Sequence, residues 1–260
     1  MTTSDTSPLL AGTFTDCCFT AFKHEGDPVG RIETIAGFQT YLSDPPADTT
    51  GPKKVILFFS DVYGPFYNTA KLLQDFFASH GFYVLGVDYF FGDYYHHHRD
   101  TPGYNLVGWV ENKLKEALSV TPKWIDEVRK IHGEDALYCS VGYCFGGPFT
   151  TDLAATDKVV AAAFAHPAFI TEDQFRKVKK PLLLSCAETD HTFPTHARHK
   201  AEDILAEVKA TYYVQVFSGV EHGFTRGDTT VENIRWARQQ SAESIVAWFK
   251  RFIALETKSS

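Results

Sequence analysis

The sequence predicts an α/β fold with a mostly parallel central sheet and helices on both faces. Short apolar runs, such as residues 55–60 (VILFFS) and 182–186 (LLLSC), are typical of strands buried on both sides. Between them lie longer segments whose apolar residues recur at helical spacing, such as residues 65–80. Because strands and helices alternate, the chain is expected to form βαβ units, which bind ligands at the carboxyl ends of their strands.

The strands are predicted in chain order from short apolar runs at residues 55–60, 82–87, 136–141, 159–165, 182–186 and 212–217. The helices are predicted between and after them at residues 65–80, 107–132, 145–156, 172–179, 194–210 and 230–254. Gly81 and Gly133 stand where helices commonly end. The second helix is expected to break near Pro122, because proline lacks a backbone N–H. The less regular stretch 17–42 is expected to supply edge strands.

The composition is that of an ordinary globular protein. With 44% hydrophobic residues, the 260-residue chain can build a full core. We expect one domain over residues 1–260, with a flexible N-terminal stretch at 1–15. The net charge is -7 and no block of lysine and arginine stands out, which excludes the basic surface of a nucleic-acid-binding protein. No apolar run reaches membrane-spanning length.

The cysteine count and the N-terminus predict a cytoplasmic protein. Five cysteines are an odd and sparse number, which fits a reducing compartment better than a disulfide framework. The first residues lack both the basic region and the continuous apolar region of a secretory signal. Cys17 and Cys18 lack the spacing of a redox C-x-x-C motif, so we expect them to pack within an apolar strand.

The most informative stretch is VGYCFGGP at residues 141–148. Gly142, Cys144 and Gly146 form the pattern G-x-nucleophile-x-G, with cysteine in place of the usual serine. A predicted strand precedes the pattern and a predicted helix follows it, as in a nucleophile elbow, whose strained backbone needs small flanking residues. The helix N-terminus also favours a thiolate over a thiol. We therefore expect Cys144 to be a nucleophile, with a buried structural thiol as the alternative.

An acid and a histidine follow the elbow in the chain order that such hydrolases use. Asp190 comes just past the end of the fifth predicted strand, and His222 comes just past the end of the sixth. Both are therefore expected at the same sheet edge as Cys144. His222 would take the proton of the thiol and Asp190 would hold the imidazole in the right tautomer. Glu188 remains open as an alternative acid.

Two backbone N–H groups are expected to form an oxyanion hole beside the nucleophile. Phe145 directly follows the nucleophile, and Val62 lies in the loop after the first predicted strand. These are the two places from which this type of elbow draws its donors.

Aromatic residues near the predicted strand ends indicate an apolar pocket, with Tyr63 and Tyr89 as expected substrate-binding residues. The cluster comprises Tyr63, Phe66, Tyr67, Tyr89, Phe90, Tyr94 and Tyr95. The run His96–His98 is expected to form a loop over the pocket mouth, because consecutive side chains do not converge on one ion; metal binding is the alternative. His166, after another strand end, is expected either to line the site or to make structural hydrogen bonds.

Together these motifs resemble the dienelactone hydrolase family, and most closely its fungal members. The matching stretches span nearly the whole chain: DCCFTAFKHEGDPVG at 16–30, FFSDVYG at 58–64, GYCFGG at 142–147, AHPAF at 165–169, ETDHTFP at 188–194 and HGFTR at 222–226. The resemblance implies an α/β-hydrolase fold. It also implies that Cys144 is the nucleophile and that Asp190 and His222 complete its triad.

The resemblance further assigns roles to residues around the triad. Asp61 stands at the place of a glutamate that, in the best-known bacterial members, hydrogen-bonds the resting cysteine and controls its activation. Arg226 matches one of two arginines that bind the substrate carboxylate in those enzymes. Gly92 stands at the expected place of the second arginine, and Arg99 in the following loop is the candidate substitute.

The expected function is hydrolysis of lactones or activated enol or aryl esters through an acyl-thioester. A thiolate attacks activated carbonyls well but expels poor leaving groups badly, which favours these substrates over amides. The only partner expected is a small-molecule substrate; no cofactor, metal, nucleic acid or membrane is expected, and the oligomeric state stays open. Two alternatives remain: an isomerase or cyclase of fungal secondary metabolism that uses the same site, and a homologue that binds a small ligand without catalysis.

Overall fold

A central sheet of eight strands organises residues 26–259, the part of the chain that the computed structural model describes. The strands are β1 (Arg31–Ile35), β2 (Phe38–Ser43), β3 (Lys54–Phe59), β4 (Tyr83–Val87), β5 (Leu137–Tyr143), β6 (Ala161–Ala165), β7 (Leu182–Thr189) and β8 (Tyr212–Glu221). The helices are α1 (Asn68–Ser79), α2 (Leu106–His132), α3 (Gly147–Ala154), α4 (Glu172–Arg176), α5 (Thr195–Glu207) and α6 (Glu232–Ser259). Single turns of 3₁₀ helix lie at Tyr95–His97, Cys144–Gly146 and Phe224–Arg226.

The order of the strands across the sheet is β1-β2-β4-β3-β5-β6-β7-β8. From β4 to β8 neighbouring strands run parallel. β1 and β2 form an antiparallel edge, and β2 is also antiparallel to β4. The prediction of a mostly parallel sheet with helices on both faces is confirmed. The edge strands expected within 17–42 are β1 and β2 where the chain is described; residues 17–25, with Cys17 and Cys18, lie outside the described residues.

Both faces of the sheet are covered, because successive side chains of each strand point to opposite sides. On β3, Val55, Leu57 and Phe59 pack toward α2 and α3. Ile56 and Phe58 pack on the other face, with α1 and α6. This burial of both faces explains why the central strands read as continuous apolar runs. Within residues 26–259, no helix is long and apolar enough to cross a membrane.

The break expected near Pro122 is wrong, because α2 continues through this residue. Proline cannot donate to the carbonyl of Leu118, but the side chain of Leu118 is exposed and water can reach that turn. Beyond the proline, Trp124 is fully buried and its indole Nε1 donates to Oγ1 of Thr40 at 2.9 Å. Packing of this second half of α2 against the sheet outweighs the local cost of the proline.

Three parallel strands end at the residues that carry the candidate chemistry. β5 ends at Tyr143, directly before Cys144. β7 and β8 run further than predicted, to Thr189 and Glu221, so Asp190 and His222 each follow immediately after a strand. Because the carboxyl ends of parallel strands meet at one sheet edge, the fold brings these three side chains together.

Candidate active site

The turn after β5 has the strained backbone of a nucleophile elbow. Cys144 has a φ of 50°, a left-handed conformation that non-glycine residues rarely adopt. A Cβ atom on Gly142 would lie 2.3 Å from the carbonyl oxygen of Gly146. A Cβ atom on Gly146 would lie 2.1 Å from the carbonyl oxygen of Phe59 on β3. The two glycines of the G-x-C-x-G pattern are therefore required by close backbone packing.

Cys144, His222 and Asp190 form a continuous chain of contacts. Nε2 of His222 lies 3.2 Å from Sγ of Cys144, and Nδ1 of His222 lies 2.9 Å from Oδ1 of Asp190. All three residues are buried. Since the thiol, the ring and the carboxylate follow one another at hydrogen-bond distance, a proton can pass between sulfur and imidazole while the carboxylate fixes the ring.

Asp190 is held as a carboxylate by several donors. The N–H groups of Thr192 and Phe193 donate to its Oδ1 at 2.9 and 3.0 Å, and the Thr192 hydroxyl lies 2.7 Å from the same atom. Burial opposes ionisation of Asp190, but the charge of His222 and the hydrogen bonds from His222 and Thr192 outweigh it and lower the pKa of Asp190 to about 2.

The pKa of His222 is shifted in the opposite direction to that of Asp190. Burial alone would lower the pKa of His222, but the negative charges of Asp190 and Cys144 and the hydrogen bonds to both raise it well above its ordinary value. The surroundings of His222 therefore favour its imidazolium form next to the sulfur of Cys144.

Sequence reasoning missed Thr192. Besides Asp190, its hydroxyl contacts Nδ1 of His222 at 2.9 Å and the carbonyl oxygen of Pro167 at 2.8 Å. The hydroxyl therefore lies where it can position both the acid and the histidine. The available signal was its place two residues after Asp190, where short polar side chains commonly bond back to an aspartate in a turn.

Of the two acids left open by the sequence, only Asp190 contacts His222 among the described hydrogen bonds. Glu188 is exposed, and its carboxylate accepts hydrogen bonds from the N–H of Gly219 at 2.7 Å and the hydroxyl of Ser218 at 3.2 Å. These bonds join the carboxyl-terminal part of β7 to β8.

Asp61 and Arg226 form an ion pair beside the triad. Oδ2 of Asp61 lies 2.5 Å from Nε of Arg226, and both side chains are buried. The N–H of Tyr63 donates to Oδ1 of Asp61 at 2.8 Å. The guanidinium carbon of Arg226 lies 4.3 Å from the centre of the Tyr63 ring. The expected modulating residues Asp61, Tyr63 and Arg226 are thus brought together in one buried cluster.

The expected oxyanion-hole residues flank the elbow. Phe145 follows Cys144 in the 3₁₀ turn that leads into α3, and it is fully buried. Val62 is also fully buried, on the segment that leaves β3. Because Phe59 of β3 is the register partner of Gly142 of β5, this segment passes directly beside the elbow.

Tyr89 packs against the elbow, and its hydroxyl makes a hydrogen bond within the protein. The ring is fully buried and packs against Phe145 and Phe149, with ring centres 5.4 and 5.2 Å apart. The hydroxyl donates to the carbonyl oxygen of Ser60, the residue before Asp61. Tyr89 therefore supports the wall behind Phe145 and the segment that carries Asp61.

The three consecutive histidines have different partners. The His96 ring stacks between Tyr63 and Tyr94, and burial lowers the pKa of His96. His98 hydrogen-bonds to Asp93, and His97 is exposed. Over residues 26–259, no group of three or more His, Cys, Asp or Glu side chains is arranged to hold a metal ion.

His166 packs against the catalytic candidates without joining the chain of contacts. Its Nε2 lies 2.7 Å from the hydroxyl of Thr225, and its ring centre lies 5.0 Å from that of His222. Burial, together with the charges of His222 and Arg226, lowers the pKa of His166 well below its ordinary value. His166 is therefore a neutral ring that supports the His222 loop.

Gly92 stands at the expected place of the second arginine; it is exposed, and its N–H donates to Asp88 at 2.8 Å. Arg99 lies at the exposed rim. It hydrogen-bonds to the side chain of Tyr63 and pairs with Asp100 at 3.1 Å.

Comparison with known proteins identifies the relatives of this chain. The model of the dienelactone hydrolase family matches residues 38–253. "Dienlactone hydrolase 1" of Gibberella moniliformis is 33% identical, over 96% of this chain and 98% of that protein. "Hydrolase pyvD" of Aspergillus violaceofuscus is 31% identical, over 91% of this chain and 96% of that protein.

Solved structures show the same fold. A putative dienelactone hydrolase from Klebsiella pneumoniae superposes with a TM-score of 0.71 at 15% sequence identity, covering 86% of this chain and 99% of that one. A dienelactone hydrolase from Anabaena variabilis superposes with a TM-score of 0.61 at 14% identity, covering 86% of this chain and 98% of that one. At these identities the likeness is one of fold.

Proposed function

This chain belongs to the dienelactone hydrolase family and is a hydrolase acting on ester bonds, and from this premise we propose that it cleaves lactones or activated carboxylic esters with Cys144 as the nucleophile. One observation carries the proposal. The thiol of Cys144, the ring of His222 and the carboxylate of Asp190 lie in sequence, separated by 3.2 and 2.9 Å. This is the arrangement that activates a nucleophile through a positioned base.

In the first half of the proposed reaction, the thiolate sulfur of Cys144 attacks the carbonyl carbon of the substrate. The oxyanion that forms collapses to an acyl-thioester as the bond to the leaving oxygen breaks, and that oxygen takes the proton from Nε2 of His222. The raised pKa of His222 supports this step, because the imidazolium is the form that donates the proton.

In the second half, water releases the acyl group. Neutral Nε2 of His222 takes a proton from the water as its oxygen adds to the thioester carbon. The carbon–sulfur bond then breaks, so that the acid leaves and Cys144 returns to a thiolate beside the imidazolium. Asp190 remains ionised throughout and stabilises the imidazolium, a role that its lowered pKa supports.

The backbone N–H groups of Phe145 and Val62 are the proposed donors to the oxyanion. Phe145 lies in the 3₁₀ turn that leads into α3, and Val62 follows the strand that pairs with β5 beside the elbow. Fixed donors in a buried site stabilise developing charge without reorganising, which makes this one of the larger contributions to the rate.

The decisive experiment compares the wild-type protein with Cys144→Ala on 4-nitrophenyl acetate, an aryl acetate, and on an unsaturated lactone. We expect turnover by the wild type and a loss of at least about a thousandfold in the variant. Trapping by rapid acid quench should reveal an acetyl group on the peptide that contains Cys144. Equal rates for both proteins would overturn the assignment of the nucleophile.

The same assays separate hydrolysis from the other functions that the sequence leaves open. In water enriched in heavy oxygen, hydrolysis places solvent oxygen in the product acid, whereas isomerisation or cyclisation does not. A ligand that raises the melting temperature and is recovered unchanged would instead indicate binding without catalysis.

A further inference from the structure

The last strand of the sheet, β8, has one side that faces away from the rest of the sheet. β8 stands at one end of the strand order, and among the described strands it pairs with β7 alone. The N–H of Leu182 on β7 donates to the carbonyl oxygen of Thr211 at 2.9 Å. Because the backbone groups of successive residues in a strand point to opposite sides, those of Tyr212, Val214 and Val216 point away from β7.

The outward backbone groups of residues 212–216, here called the β8 edge, are open to another strand. Within residues 26–259, no protein hydrogen bond reaches the outward N–H and carbonyl groups of Tyr212, Val214 and Val216. The edge closes at Ser218, whose carbonyl oxygen accepts a hydrogen bond from Nδ2 of Asn233 at 2.7 Å. A row of alternating free donors and acceptors is a template for pairing with a further strand.

The β8 edge also lacks the features that keep edge strands from pairing. Residues 211–220 (TYYVQVFSGV) contain no charged residue and no proline. β1, the strand at the other end of the sheet, is shorter and carries the exposed ion pair of Arg31 with Glu33. Charged side chains and short length protect an edge, so β8 is the end of the sheet that favours pairing.

Apolar side chains flank the β8 edge on both faces of the sheet. Tyr212 and Val216 are 37% and 42% exposed, on the face where Val214 packs against the cluster that includes α5. On the opposite face, Tyr213 is 44% exposed and its ring centre lies 6.2 Å from that of Trp248 on α6. A strand added at this edge would therefore bury apolar surface on both sides as well as backbone groups.

The order of the residues fits an antiparallel second copy of the same edge. With a twofold axis at Val214, Tyr212 of each copy lies opposite Val216 of the other, and the two Val214 residues face each other. All of these are outward residues, so each facing pair exchanges both N–H···O bonds. The pairing of an aromatic with a β-branched side chain across two strands is also favourable. The edge is thus complementary to itself.

The charges at the two ends of the edge favour the same orientation. Lys209 is exposed just before β8 begins. Near the other end, the exposed carboxylate of Glu188 accepts a hydrogen bond from the N–H of Gly219 at 2.7 Å. Antiparallel pairing brings the basic end of one copy to the acidic end of the other, whereas parallel pairing would bring like charges together.

We propose that the β8 edge binds a second copy of this chain in antiparallel orientation, so that one continuous sheet runs through a twofold dimer. His222 follows β8 directly, and the antiparallel arrangement places the two candidate active sites at opposite edges of the joined sheet. Neither site needs a residue from the other copy. The inference therefore goes beyond the proposed hydrolysis and does not rest on it.

The first test is sedimentation velocity at micromolar concentration. We expect a dimer for the wild type, and for Val216→Lys a dissociation constant raised by at least about tenfold, because the lysine puts a charge on the edge. Ile131→Lys is the matched control, since Ile131 is 55% exposed on α2, away from β8. It should remain a dimer. Circular dichroism verifies that both variants are folded. A monomeric wild type, or equal dissociation constants for the two lysine variants, would overturn the proposal.

A second test needs no lysine variant and examines the orientation of the strands. Facing residues of such a pair have Cα atoms about 5.5 Å apart, within the reach of a disulfide. Mixed Tyr212→Cys and Val216→Cys proteins should form a bridge between chains on oxidation, which peptide mapping identifies. Each variant alone should not, because its two cysteines lie about 13 Å apart along the strands. Absence of the bridge from the mixture, or bridging of either variant with itself at the same rate, would overturn the antiparallel dimer.

Discussion

The hydroxyl of Thr192 links Asp190, His222 and the loop that contains Pro167. It lies within 2.9 Å of Asp190, His222 and the carbonyl oxygen of Pro167. One hydroxyl has only one proton to donate, so its position relative to all three groups matters more than any single bond. Such positioning contacts keep a general base in the orientation that catalysis needs.

We predict that Thr192→Val, which keeps the shape but removes the hydroxyl, lowers kcat for an aryl ester by about tenfold, equivalent to roughly 1.4 kcal/mol. Thr192→Ser restores the hydroxyl and should recover most of the rate. Steady-state kinetics on both variants checks this. If valine and serine lose activity equally, the methyl group rather than the hydroxyl is what matters.

The charge of Asp190 raises the pKa of His222. The imidazolium form of His222 is therefore present below that raised pKa and is lost as the pH rises through it. In Asp190→Asn we expect the alkaline limb of the kcat/KM profile to move to lower pH by at least about one unit. In Glu188→Gln the limb should stay in place. An Asp190→Asn profile that keeps the wild-type limb would show that another group holds the proton on His222.

At the scale of single elements, the elbow stores backbone strain. Cys144 is held at a φ of 50° because Gly142 and Gly146 let β3, β5 and α3 approach closely around it. Strained residues of this kind persist only where the surrounding packing enforces them, and they are common at functional sites.

We predict that Cys144→Gly is more stable than Cys144→Ala by about 1 kcal/mol, because glycine adopts positive φ without strain. Cys186 is the control: it is buried in β7 and is not among the positive-φ residues. There glycine should be less stable than alanine by about 1 kcal/mol. Urea unfolding of the four variants measures both differences, and the same order at both positions would contradict the strain.

Packing against the sheet, rather than local helix propensity, decides that helix α2 continues through Pro122. A proline inside a helix costs about 3 kcal/mol relative to alanine, yet α2 spans Pro122. The buried residues on both sides of the proline, among them Ala117, Trp124 and Val128, hold the helix against the sheet. Thr121 also donates its hydroxyl to the Ala117 carbonyl at 2.5 Å.

At the scale of the whole molecule, contacts between distant parts of the chain join the helices to the sheet edge. Trp124 of α2 donates to Thr40 of β2, 84 residues earlier in the chain. This bond ties the helix layer to the antiparallel edge that flanks the parallel strands. It is the kind of contact that depends on the complete fold.

We predict that Trp124→Phe lowers the free energy of unfolding by about 1–3 kcal/mol, because it removes a buried donor and leaves the Thr40 hydroxyl with one partner fewer. Trp236→Phe is the control: Trp236 is half exposed, so its replacement should change stability by less than about 0.5 kcal/mol. The urea midpoints of the two variants test the difference, and equal midpoints would argue against the role of the Trp124 bond.

The fold class, the position of the elbow and the strand-end places of Asp190 and His222 could be predicted from the sequence. These features depend on local patterns. Apolar runs specify strands, glycines at fixed offsets from Cys144 permit a tight turn, and parallel strands bring their carboxyl ends to one edge. Each of these rules can be applied to short stretches of the sequence, so the features could be predicted without the structure.

Only the tertiary structure decided which carboxylate lies against His222. It also decided that the hydroxyl of Thr192 reaches both Asp190 and His222, and that Asp61 is paired with Arg226. These contacts join residues far apart in the chain, and they depend on strand register, loop paths and side-chain rotamers that no local pattern encodes. The continuity of α2 through Pro122 has the same origin, because packing against the sheet outweighs the local preference of the backbone.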